Sequence, residues 1–185
     1  HGTSGFGLAL LALLACSPDP KDSPPNDSAR AKAATDSVDW KLAVHDTSGA
    51  SLTSLPGQPG VFRVTMPTSS GVRWHVQLNG PGVPLTLGET YVVTFRARAF
   101  GTRSISVGVA QAHVSWENLG FYRDVAVDTT WKSFSERFNA TASDTRTRLH
   151  FDLGVSAETV ELTEMSIRAV RPGQSNDSSA RTNRP

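Results

Sequence analysis

The chain has 185 residues, enough for one domain with a sizeable core and short for two. A formal net charge of +1 excludes the strongly basic surface that captures nucleic acid, so no nucleic-acid partner is expected. One cysteine excludes an internal disulfide framework, and 15 Gly with 11 Pro suit a turn-rich, all-β chain.

The first element is an apolar run over residues 6–15, FGLALLALLA, closed by Cys16. It falls short of the roughly 20 residues a membrane-spanning helix needs, and it has the length of the apolar region of a signal peptide. Its end, Leu13-Leu14-Ala15-Cys16, resembles the lipobox of bacterial lipoproteins. That resemblance implies a signal peptide over residues 1–15, cut before a cysteine that carries acyl chains (palmitate among them) and ties the protein to a membrane. Location in the cell envelope follows, with Ser17 pointing to the outer membrane of a Gram-negative cell. The chain opens on His1 with no Met and no basic segment, a departure from the pattern that reads as a truncated start. Residues 16–37 are rich in Pro, Asp, Ser and Lys without apolar periodicity, so they read as a lipidated cysteine and a disordered tether.

The folded domain is expected over residues 38–170, with a polar tail over 171–185. Alternation marks its strands. Trp40, Leu42 and Val44 share one parity, as do Phe62, Val64 and Met66, and then Trp74, Val76 and Leu78 against Arg73, His75 and Gln77. The clearest alternation lies between Leu87 and Gly154. Val93, Phe95 and Ala97 oppose Thr94, Arg96 and Arg98; Ile105, Val107 and Val109 oppose Ser106, Gly108 and Ala110; Leu149, Phe151 and Leu153 oppose Arg148, His150 and Asp152. This predicts an antiparallel sheet with one face on a core and one face wet. Turn residues such as Asn79-Gly80-Pro81-Gly82 separate the runs, giving eight or nine strands and no convincing helix. An all-β, two-sheet antiparallel β-sandwich is the economical architecture.

Read in order, WHVQL, LTLGETYVVTFRARA, SISVGVAQ, a loop bearing Trp and Tyr, TTWKSFSERFNAT, TRLHFDLG and VELTEMSI resemble the CenC-type carbohydrate-binding modules of families four, nine, sixteen and twenty-two. The resemblance covers the whole folded part and implies a galactose-binding-like jelly roll that binds glycans and does no chemistry on them. It further implies that Gln77, and Arg96 or Arg98, sit in the binding cleft. The family often places an Asp that helps hold a structural calcium where this chain has Thr163, so no cofactor is expected and the calcium is in question.

A glycan site needs an exposed aromatic ring to stack on the apolar face of a sugar, beside planar polar side chains that take its hydroxyls. Trp116 and Tyr122, between two strand runs, are the expected platforms, whereas Trp40, Trp74 and Trp131 are expected in the core. Gln77, Arg96, Arg98, Gln111 and Asp152 are expected on one shared polar surface. Ser106, Gly108 and Ala110 beside them predict a groove. Gln111 joins that surface only if a bulge reverses its parity.

Catalysis has little support. His45, His75, His113 and His150 form no metal-binding motif, and Glu117, Glu136, Asp152 and Glu158 have no spacing that marks a glycosidase pair. The expected function is carbohydrate binding by a membrane-tethered lipoprotein. The alternatives are an envelope protein–protein interaction module that uses the same face and, further behind, a small glycan-active enzyme.

Overall fold

The computed structural model describes residues 39–170, apart from His1 alone; Cys16, the tether and the tail fall outside them. Ten antiparallel strands form two sheets of five. They are β1 (Lys41–Val44), β2 (Ser51–Ser54), β3 (Phe62–Thr65), β4 (Val76–Pro81), β5 (Thr90–Ala99), β6 (Arg103–Gln111), β7 (Asn118–Val127), β8 (Lys132–Asn139), β9 (Thr147–Asp152) and β10 (Val160–Ala169). One sheet has the order β1-β4-β9-β6-β7 and the other β2-β3-β10-β5-β8. This is the two-sheet β-sandwich that the alternation predicts, with the jelly-roll form that the family resemblance implies. Two strands exceed the expectation: β2, short and polar, and β7, which reads in sequence as a loop.

The inward parities hold. Val93, Phe95 and Ala97 of β5, Ile105, Val107 and Val109 of β6, and Leu149 and Phe151 of β9 are all buried, as is Leu153 just after β9. Aromatic rings bridge the layers. Phe95 meets Phe151 edge-on with centroids 5.1 Å apart, and Phe121 meets Phe138 at 5.4 Å. Trp40 packs 5.8 Å from Phe151 and lies over Gly80, where a Cβ would come within 2.5 Å of its ring. Burying each such side chain contributes about 1.5–3 kcal/mol.

The alternation does not reveal which sheet a strand joins. β6 and β9 are neighbours, but β5 belongs to the opposite sheet. The three clearest strands therefore do not share a single wet face. Arg96 and Arg98 look outward from the far side of the molecule, away from Gln77 and Asp152.

Arg103, buried at the end of β6, donates to the carbonyls of Leu153 (2.6 Å) and Glu158. Burial pulls its pKa down to about 10, and the charge of Glu158 offsets part of that. A guanidinium with its hydrogens on main-chain carbonyls fastens the β9–β10 connection to the sandwich.

Candidate functional site

The outer face of the β1-β4-β9-β6-β7 sheet is organised in rows by the strand register. One row runs Ala43, Gln77, Asp152, Ser106, Asp124; the next runs Lys41, Asn79, His150, Gly108, Tyr122; a third runs Pro81, Arg148, Ala110, Asn118. Polar side chains alternate outward, as the sequence predicts, but much of this face is not wet. Gln77, Ser106, His150 and Asp152 are all buried, which requires that they satisfy one another.

They do so around Asp152. Its Oδ1 accepts from Gln77 Nε2 at 2.8 Å and lies 3.0 Å from His150 Nδ1, while its Oδ2 accepts from the Tyr122 hydroxyl at 2.7 Å. Burial alone would push Asp152 up, but the donors His150, Tyr122 and Gln77, with the histidine's charge, hold its carboxyl below the usual range. The Tyr122 hydroxyl moves the other way, raised by burial and by the carboxylate it serves. Next to this cluster, Asp124 accepts from Ser106 Oγ and Arg73 Nη1, both at 2.7 Å.

The small residues of β6 do not leave a groove. A Cβ on Gly108 would come within 2.5 Å of His150 Nε2 and 2.7 Å of Tyr122 Cδ2, so those two rings already lean across the gap. Tyr122, half-exposed at 37%, is the lid of a polar floor as much as a platform. The open groove lies two strands away. It has a volume of about 550 Å³ over β1, β4 and β9 and is lined by Ala43, His45, Trp74, Gln77, Asn79, Trp116 and Arg148. A second hollow of about 400 Å³ continues past Trp116 and Arg148 toward Lys41 and Pro81.

Two tryptophans flank the groove, each 53% exposed. Trp116 is a predicted platform, and Trp74 is not. The alternation places Trp74 inward with Val76 and Leu78, but a single 3-10 turn over Arg73–His75 precedes β4 and breaks the parity. The Trp74 ring then stands outside, edge-on to His75 at 4.5 Å and 5.7 Å from His45. Trp131 also departs from the core expectation. It is half-buried on the outside of the other sheet, with the guanidinium groups of Arg98 and Arg96 at 4.9 and 5.4 Å from its ring.

Trp116 is held by its loop. His113 Nδ1 lies 2.8 Å from the Val114 carbonyl and Nε2 lies 2.8 Å from Asp144 Oδ2, contacts that raise the histidine's pKa. The Trp116 amide donates to the His113 carbonyl at 2.7 Å, and Trp116 itself sits at φ 64, a left-handed conformation rare for a bulky residue. Strain of this kind persists only where neighbours hold it, and it gathers at binding sites. Gln111 is one of those neighbours. Its Oε1 accepts from the Glu117 amide at 3.3 Å, so it steadies the loop and does not line the groove.

Arg148 lies beneath Trp116, its guanidinium 5.2 Å from the indole. Its Nη1 donates to Asn79 Oδ1 at 2.6 Å and to Gln77 Oε1 at 3.3 Å. Gln77 therefore has its amide oxygen on Arg148 and its nitrogen on Asp152, which fixes its orientation. Sequence reasoning missed Asn79 and Arg148, although Arg148 carried the same outward parity as Asp152.

The structure thus gathers Gln77, Trp116, Tyr122 and Asp152 on one sheet face, with Gln111 supporting it, and removes Arg96 and Arg98. Those two arginines serve the opposite face. Arg98 Nε (2.6 Å) and Arg63 Nη2 (2.5 Å) neutralise the fully buried Glu161, while Arg96 pairs with Glu164 at 3.3 Å. Thr163 faces Arg96 across the strands. Among the described residues no group of three or more His, Cys, Asp or Glu side chains is arranged around a metal position. The carboxylates Glu136 and Glu158 lie apart from Asp152, one on β8 of the other sheet and one in the β9–β10 connection beside Gly101.

The fold is shared with solved structures. A CBM4 domain matches with a TM-score of 0.61 at 25% identity, covering 71% of this chain and 86% of its own. The BiXyn10A CBM1 in its apo form matches at 0.60 with 14% identity, covering 72% and 92%. The N-terminal cellulose-binding domain of the Cellulomonas fimi beta-1,4-glucanase C matches at 0.56 with 20% identity, covering 71% and 89%. No curated protein matches the chain. The family model described as "Carbohydrate binding domain" matches residues 32–159, most of the folded part, and the chain belongs to that carbohydrate-binding family.

Proposed function

We propose that the chain binds a polysaccharide or oligosaccharide, without altering it, in the groove between Trp74 and Trp116. The observation that carries this reading is the pairing of two exposed indoles with a floor of amides and a guanidinium fixed in place by their own hydrogen bonds. Sugar rings stack on the indoles, and the free edges of Asn79 and Arg148 take hydroxyls. Because the floor is already ordered, little conformational entropy is lost on binding.

Attachment to a membrane through a lipidated Cys16 completes the proposal, supported by the Leu13-Leu14-Ala15-Cys16 sequence. The domain would then hold an envelope surface against a glycan. The test is an affinity-gel screen of the full chain against soluble β-glucans, xylans and mannans. Trp74→Ala and Trp116→Ala are each expected to weaken binding by tenfold or more, about 1.4 kcal/mol, without lowering the thermal midpoint. A folded protein that retards on no polysaccharide would overturn the reading in favour of a protein partner.

A further inference from the structure

We propose that the groove selects an acidic glycan, one whose sugars carry uronate carboxylates, and that Arg148 is the residue that selects it. This rests on the glycan-binding reading above and narrows it. Arg63, Arg73, Arg96 and Arg98 each sit against a carboxylate at 2.5–3.3 Å, and Arg137 and Arg168, which have no ion pair among the described residues, are exposed to solvent. Arg148 differs. It is half-buried, lines the groove and contacts only neutral groups: the two amide oxygens on Nη1 and the Trp116 indole.

Its Nε is buried without a partner, and among the described residues its hydrogen bonds all leave from Nη1. Nη2 keeps its donors. Asp152, the nearest anion, is buried, and its oxygens are committed to Gln77, His150 and Tyr122. Of the side chains lining the groove, Arg148 alone is always charged, while at the far rim Lys41 and Asp39 offset each other at 3.9 Å. Partial burial of a cation among neutral partners is costly, and a ligand carboxylate removes that cost.

A guanidinium matches a carboxylate with two parallel hydrogen bonds, a geometry that a neutral hydroxyl does not use. A C5 carboxylate projects from the edge of a pyranose ring. It therefore meets a donor beside the stacking platform while the ring's face stays on the indole.

The test uses matched polymers that differ only in the acid. The full chain is titrated with oligomers of glucuronate, mannuronate and galacturonate, with their carboxyl-reduced neutral counterparts, and with a sulfated glucan. At least one uronate is expected to bind about tenfold more tightly than its reduced partner, an advantage that shrinks with added salt. Arg148→Met should remove the advantage, so that each acid and its reduced partner bind alike, and Arg148→Lys should keep part of it. The wild-type comparison stands even if a variant folds poorly. Equal binding of acid and neutral pairs overturns selectivity while the glycan reading survives. Preference for the sulfated glucan overturns the carboxylate assignment, and absence of binding to every polymer overturns both readings.

Discussion

Asp152 shows how one buried carboxylate organises a sheet face. Three donors converge on it, and each is thereby fixed: Gln77 in its amide orientation, His150 with its proton on Nδ1, and Tyr122 across Gly108. Its carboxyl is held below the usual range, so the folded state binds fewer protons than the unfolded chain. That stabilisation is complete above the unfolded carboxyl pKa of about 3.9 and is lost as pH falls through the lower folded value. Asp152→Asn keeps one acceptor and adds an amide that the Tyr122 oxygen can accept. It is expected to cost about 1 kcal/mol at neutral pH and to flatten the fall in unfolding free energy below about pH 4, read from denaturant melts. An unchanged acid slope would mean that the charge at this position does not carry the cluster.

At the scale of elements, the loop between β6 and β7 governs the site. A neutral imidazole has one N–H to donate, and His113 has an acceptor at each nitrogen, a carbonyl on one and the Asp144 carboxylate on the other. The imidazolium satisfies both, which is why its pKa is raised, first by the Val114 carbonyl and then by Asp144. The clamp is therefore at full strength below the ordinary histidine pKa of about 6.5 and weakens as pH rises through the raised value. NMR resonances of the His113 ring and the Trp116 indole should titrate together with a midpoint above about 6.5, and Asp144→Asn should lower that midpoint. Independent titration of the two would uncouple the loop from the platform.

The same scale shows why some of the site was legible in sequence and some was not. β5, β6 and β9 announced both their faces, because each alternates through its whole length. β7 did not. Its register with β6 shifts between Val109 and Ala110, which adds Leu119 and Gly120 and interrupts the alternation where Gly120 takes φ 110. Trp74 was misplaced by one 3-10 turn, whose steps of about 120° per residue replace the strand's 180°. Arg96 and Arg98 had the correct facing on the wrong sheet, since pairing partners are set by contacts distant in sequence. The ring of Tyr122 filling the space above Gly108 was invisible for the same reason.

The whole molecule is a sandwich with two chemically different outer faces. One has Glu161 locked between Arg63 and Arg98 and Trp131 closed over by two guanidinium groups. The other keeps two open indoles, an unmatched arginine and a groove of about 550 Å³. Binding and anchoring are then separable. Metabolic labelling with an alkynyl palmitate in the cell of origin is expected to tag the wild-type chain but not Cys16→Ser, and the soluble variant should keep its glycan affinity. Labelling of neither would remove the tether from the account.

The most direct measurement is a titration of the uniformly 15N-labelled chain with the tightest-binding oligosaccharide, following the four tryptophan indole signals. Trp74 and Trp116 are expected to shift together and saturate at one concentration, while Trp40 in the core and Trp131 on the far sheet stay still. Shifts centred on Trp131, or on none of the four, would contradict the placement of the site between Trp74 and Trp116.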